Sequence, residues 1–168
     1  MKYLSTRNKE LRVTASEAIA GGLAPDGGLF VPETVPQVGL DEIVCLCGMD
    51  YRSRAVNIIG RYLEEFSEDE LKGFVTAAYG ENFDHRDIAP VHFVDDNTAV
   101  LELWHGPTCA FKDMALQILP HLLTASLKKS GEQRKVCILV ATSGDTGKAA
   151  LEGFKDVPNT EIMVFYPC

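Results

Sequence analysis

Apolar residues recur at helical spacing through the first half of the chain. Ala55, Ile58, Ile59, Tyr62, Leu63 and Phe66 fall on one face and predict a helix over 52–66. Ser67 followed by Glu70 is a capping-box signature, so a second helix is predicted from about Glu68 to Tyr79, ended by Gly80. Thr14 or Ser16 can start a short helix running to about Ala20, where Gly21-Gly22 stops it. Turn residues crowd 23–28 and lead into a short extended piece, Leu29-Phe-Val31.

Beyond residues 83–98 the pattern changes. Apolar strands at 99–104, 135–141 and 161–166 alternate with helices at 113–128 and 145–155. Continuous apolar strands separated by helices predict a parallel sheet covered on both faces. Pro120 removes a backbone donor from the first of those helices and predicts a kink or a late start. A three-stranded parallel sheet leaves its edges bare, so this half reads as the first part of a larger α/β domain. The division by pattern gives residues 1–83 and 84–168 as domains.

Composition narrows the function classes. The 168 residues are 46% apolar and 24% charged, ordinary for a globular protein, and the net charge is −8. That balance argues against a nucleic-acid binder that relies on bulk positive field. The one basic cluster, Lys128, Lys129, Arg134 and Lys135, brackets a Ser-Gly turn and reads as a solvated loop. No apolar run approaches the roughly 18 residues a membrane span requires. No stretch near the start resembles a signal peptide, and a soluble cytoplasmic protein is expected. Five cysteines, an odd number, point to reduced thiols. Cys45-Leu-Cys47 lacks the second pair of ligands a zinc site needs, and Cys137 reads as a small core residue. His85 and His92 read as lone surface histidines.

In parallel sheets, ligands gather where strands give way to helices. Two such loops carry unusual sequence: Trp104-His-Gly-Pro-Thr-Cys-Ala-Phe-Lys-Asp113 and Ala141-Thr-Ser-Gly-Asp-Thr-Gly147. The second, through Thr142, Ser143, Gly144, Asp145, Thr146 and Gly147, leaves backbone accessible before a helix N-terminus and could cup a carboxylate or phosphate. Its residues fit a plain helix cap at Ser143 or Asp145 equally well. A P-loop is excluded by spacing, because Gly144 and Gly147 have two residues between them and Ala149 follows Lys148. Lys112 ends the first loop beside Phe111 and Met114, the surroundings a nucleophilic amine needs. The competing reading is a surface lysine whose stem packs on apolar groups.

The segment Leu101-Glu-Leu-Trp-His-Gly-Pro-Thr-Cys-Ala-Phe-Lys-Asp-Met-Ala-Leu-Gln117, with Ala141-Thr-Ser-Gly-Asp-Thr-Gly147, closely resembles the threonine synthase family. Tyr3-Leu-Ser-Thr-Arg7 and Gly22-Leu-Ala-Pro-Asp-Gly-Gly-Leu-Phe-Val-Pro32 resemble that family's N-terminal domain. The resemblance implies an α/β architecture: a mostly helical N-terminal domain, then the start of a parallel-sheet domain of fold type II that binds pyridoxal 5′-phosphate. It implies conversion of O-phospho-L-homoserine and water to L-threonine and phosphate, the last step of threonine biosynthesis. Lys112 matches the Schiff-base lysine, and Thr142 to Gly147 match the loop around the substrate carboxylate. Phe111 and Asp113 match flanking positions near the cofactor. The implied partner is a small molecule, with no nucleic acid and no membrane. Family members are far longer, and the loop that holds the cofactor phosphate has no counterpart here, so little or no turnover is expected of these residues alone. Two alternatives stand beside this reading. One is another fold type II pyridoxal-phosphate lyase, such as a threonine dehydratase or cystathionine synthase relative; the other is a non-catalytic binding module.

Overall fold

The structure is a computed structural model and describes residues 1–167. It divides into two compact units that interleave along the chain. The first comprises 1–75 and 122–132, the second 76–121 and 133 onward. The sequence pattern predicted one linear boundary near residue 83 instead.

In the first unit, β1 (Tyr3–Ser5) pairs antiparallel with β2 (Arg12–Val13) and β3 (Phe30–Pro32), giving the order β2-β1-β3. Of these strands only the third was legible in the sequence. Helix α1 (Ala15–Gly21) starts at Thr14 with a complete capping box, in which Glu17 N–H donates to the Thr14 hydroxyl and Thr14 N–H to the Glu17 carboxylate. Gly22 ends it at φ 68°, a conformation that suits glycine. Helix α2 (Leu40–Cys47) was not foreseen. Helix α3 (Tyr51–Tyr62) stops four residues short of the expected end. The chain turns at Leu63, where Phe66 N–H donates to the Leu63 carbonyl at 3.0 Å. Phe66 then meets Phe74 edge to face, with ring centroids 5.9 Å apart. Helix α4 (Glu68–Ala78) begins at the expected box, with Glu70 N–H donating to the Ser67 hydroxyl and Ser67 N–H to the Glu70 carboxylate. Ala15, Leu63, Phe66 and Leu71 form the buried cluster, against which Tyr3, Val56, Ile59, Leu122 and Ala125 pack.

In the second unit, β4 (Val91–Asp95) and β5 (Thr98–Leu101) form an antiparallel hairpin. This corrects the expectation that 99–104 is the first strand of a parallel sheet. Asp95 accepts from Asn97 N–H at 2.8 Å, so the Asp-Asp-Asn turn reverses the chain. The parallel sheet among the described residues has two strands, β6 (Val136–Ala141) and β7 (Thr160–Phe165), joined by helix α7 (Asp145–Gly153). The predicted helix over 113–128 is split at Pro120 into α5 (Asp113–Leu116) and α6 (Leu119–Lys129). Each sheet strand alternates half-covered and exposed residues, so α7 covers one face only. Cys137 is therefore exposed rather than in a core. No described helix is long and apolar enough to cross a membrane.

Candidate active site

Both loops singled out by sequence lie in the second unit. In the first, Cys109 N–H donates to the Gly106 carbonyl at 3.0 Å, and Cys109 adopts φ 59° to complete the turn. The tight geometry needs glycine at 106, since a Cβ there would lie 2.5 Å from Asp113 Oδ2. Asp113 is fully buried. Its carboxylate accepts from Thr108 N–H at 2.8 Å and from the Thr108 hydroxyl at 2.7 Å. Both bonds are charge-assisted and shielded from water, which makes them strong. Asp113 is thus committed inside the loop, and its geometry suits holding the chain rather than touching a ligand.

Lys112 is the residue at the head of α5. Its Nζ lies 4.6 Å from the centroid of the Phe111 ring, a cation–π contact, and Phe111 is 56% exposed. Lys112 as a whole is half-buried.

The second loop follows β6. Thr142 N–H donates to the Phe165 carbonyl at 3.0 Å, anchoring the loop to β7, and the Thr142 hydroxyl accepts from Gly144 N–H at 3.3 Å. Gly144 is the N-cap of α7 and no side chain caps it, so neither Ser143 nor Asp145 serves as a cap. The first-turn N–H groups therefore keep their capacity for an acceptor. A cavity of about 530 Å³ opens here, lined by Thr142, Ser143, Gly144, Gly147 and Lys148 together with residues of α7 and β7. Asp145 and Thr146 do not line it, nor do Phe111, Lys112 and Asp113.

One side chain joins the loops. Lys148 Nζ donates to the Thr108 carbonyl at 3.1 Å. Thr108 is thus held from both sides, by Asp113 within its own loop and by Lys148 from the first turn of α7.

Sequence reasoning missed Thr108, Lys148 and a third residue, His105. The His105 ring nitrogens lie 2.5 Å from Asp84 and 2.7 Å from Glu102. These contacts hold its pKa above the ordinary histidine value, Glu102 contributing most and Asp84 next. His85 is not solitary, because its ring centroid lies 5.0 Å from that of His105. The acidic residue three positions before His105 was a usable sequence signal; the Asp84 partner, 21 residues away, was not. No group of three or more described His, Cys, Asp or Glu side chains could hold a metal ion.

Comparison with known proteins gives consistent results. Residues 2–79 match the family described as threonine synthase N terminus. A threonine synthase of Pseudomonas aeruginosa is 40% identical over 168 residues, covering 99% of this chain and 35% of that relative. The crystal structure of a PLP-bound threonine synthase from Brucella melitensis superimposes with a TM-score of 0.91 at 39% identity, over 99% of this chain and 36% of that one. The yeast threonine synthase structure gives 0.89 at 34% identity, over 99% and 35%. The chain spans about a third of the length of these relatives, and over that span it is similar to threonine synthases, its residues 2–79 matching their N-terminal family.

Proposed function

We propose that this chain carries the Schiff-base lysine and one anion-binding loop of a threonine synthase, which converts O-phospho-L-homoserine and water to L-threonine and phosphate. The observation that supports this most directly is the double hold on Thr108. It ties the Lys112 loop to the cup loop through Asp113 on one side and Lys148 on the other.

The residues fit pyridoxal 5′-phosphate. Lys112 offers a primary amine resting on an aromatic face, available to bond the cofactor's aldehyde with loss of water. The start of α7 offers uncapped N–H groups to a carboxylate. When bound, the cofactor supplies an electron sink for charge developing on the substrate's α and β carbons. Lys112 then takes and returns protons at those carbons, its reach set by the clasp beside it. Within the Thr142–Gly147 loop, the uncapped N–H groups at the start of α7 hold the substrate α-carboxylate, and Ser143 adds an exposed hydroxyl. Phe111 flanks the amine and Asp113 positions it.

The test starts with the chain itself. Incubation with pyridoxal phosphate, borohydride reduction and peptide mapping should place the pyridoxyl label on Lys112, and Lys112→Ala should abolish it. Label scattered over surface lysines such as Lys128 and Lys129 would sink the proposal. Turnover is proposed for a protein of the relatives' length, assayed as phosphate release from O-phospho-L-homoserine. A non-catalytic binding role is the second reading, favoured by the exposed Phe93 and Val94 on the hairpin and Leu139 on the sheet. A folded chain that gives only scattered label would support it.

A further inference from the structure

His105 opens the loop that ends at Lys112. Its side chain is only 12% exposed and sits between two carboxylates, with Nδ1 2.5 Å from Asp84 Oδ1 and Nε2 2.7 Å from Glu102 Oε2. The backbone repeats the contact, Asp84 N–H donating to the His105 carbonyl at 3.0 Å. A neutral imidazole has one N–H and one bare nitrogen, so it can donate to one carboxylate and would face the other with a lone pair. Two carboxylates on opposite nitrogens require both N–H groups, and hence the imidazolium. Glu102 is the firmer partner, being 21% exposed against 78% for Asp84. Among the described residues the other titratable group against the ring is His85, whose Nδ1 accepts from Asp87 N–H. Trp104 is the remaining ring neighbour, at 5.7 Å.

The next residue, Gly106, packs directly on the Asp113 side chain, and Asp113 adjoins Lys112. Displacement of His105 is therefore passed on through a contact with no slack. We propose that His105 is a positioning residue for Lys112: as an imidazolium clamped between Asp84 and Glu102 it fixes the start of the lysine loop, and loss of its proton loosens that loop. The proposal rests on the reading of Lys112 as the reactive lysine, but the clamp can be observed without it.

The experiment uses the 168-residue chain and the variants His105→Gln and Glu102→Gln. Nitrogen NMR follows protonation of the His105 ring, amide exchange reports protection factors over 106–112, and pyridoxyl mapping gives the Lys112 share of total label. In the parent chain both His105 ring nitrogens should carry protons at a pH above the ordinary histidine value of 6.5. Loop protection should fall several-fold as His105 deprotonates. Glu102→Gln should move both transitions to lower pH together. His105→Gln should lower loop protection and the Lys112 share at all pH values, while protection in β6 stays unchanged. Unaltered loop protection in His105→Gln, or a loop transition that does not follow the His105 titration, overturns the proposal. So does reduced loop protection with an unchanged Lys112 share. If His105→Gln fails to fold, the Glu102→Gln shift decides. Failure of the parent chain to label Lys112 would count against the proposed function, and loop protection would then decide the clamp alone.

Discussion

Thr108 gives both of its donors to Asp113, at 2.8 Å from the backbone and 2.7 Å from the hydroxyl, and closes a clasp over residues 108–113 that encloses Lys112. Thr108→Val keeps the shape and removes the hydroxyl donor, leaving a buried carboxylate with one bond fewer. The expected loss is about 1–3 kcal/mol of stability. Urea denaturation of the chain measures it; an unchanged midpoint would show that the hydroxyl bond of the clasp contributes nothing.

Two glycine substitutions should move stability in opposite directions. A Cβ on Gly147 would lie 2.5 Å from Thr142 Cγ2 and 2.9 Å from Val164 Cγ1, so Gly147→Ala should destabilise by about 1–3 kcal/mol. Gly73 lies inside α4 with nothing within 4 Å of its Cβ position, so Gly73→Ala should stabilise by about 0.5–1 kcal/mol. Thermal melts of the pair measure both shifts, and an unchanged melt for Gly147→Ala would mean that α7 can yield on its sheet.

Ser67→Ala should cost about 0.5–2 kcal/mol by removing the cap of α4. The Glu70 side of the same box has its pKa lowered, first by the Ser67 N–H and next by Lys129. Its contribution is therefore present above the unfolded carboxylate value and lost as pH falls through the lower folded value. Acid titration followed by circular dichroism should show a shallower loss in Glu70→Gln than in the parent chain.

The alkaline side has the opposite sign. His105 has a folded pKa above the ordinary 6.5, so its contribution is complete below 6.5 and lost as pH rises through the raised value. Stability of the parent chain should decline over that range, and His105→Gln should decline less. Equal slopes would mean that the carboxylate pair does not bind the folded-state proton.

What the sequence disclosed follows from the range of the interactions involved. The capped starts of α1 and α4 were legible because a capping box lies within four residues, and the break at Pro120 because proline acts on its own turn. The hairpin was missed because strand residues 99–101 look alike whether their partner is parallel or antiparallel. The turn signal Asp95-Asp96-Asn97 decides it. Cys137 was misplaced because an apolar run is the same string whether one face is covered or two. At the site, Lys112 and the Thr142–Gly147 loop stood out by residue type. Lys148 and His105 did not, because each acquires its role from a partner 40 or 21 residues away.

The interleaving of the two units has a consequence for synthesis. Leu122 and Ala125 pack on the Leu63, Phe66 and Leu71 cluster, although 46 residues of the second unit precede them in the chain. A ribosome making this protein must release residue 132 before the amino-terminal core can close. By then the Lys112 loop has already emerged. Any expression boundary drawn at residue 75 or 83 would yield an amino-terminal piece without Leu122 and Ala125, leaving one flank of that cluster uncovered. One drawn after residue 132 keeps that core whole.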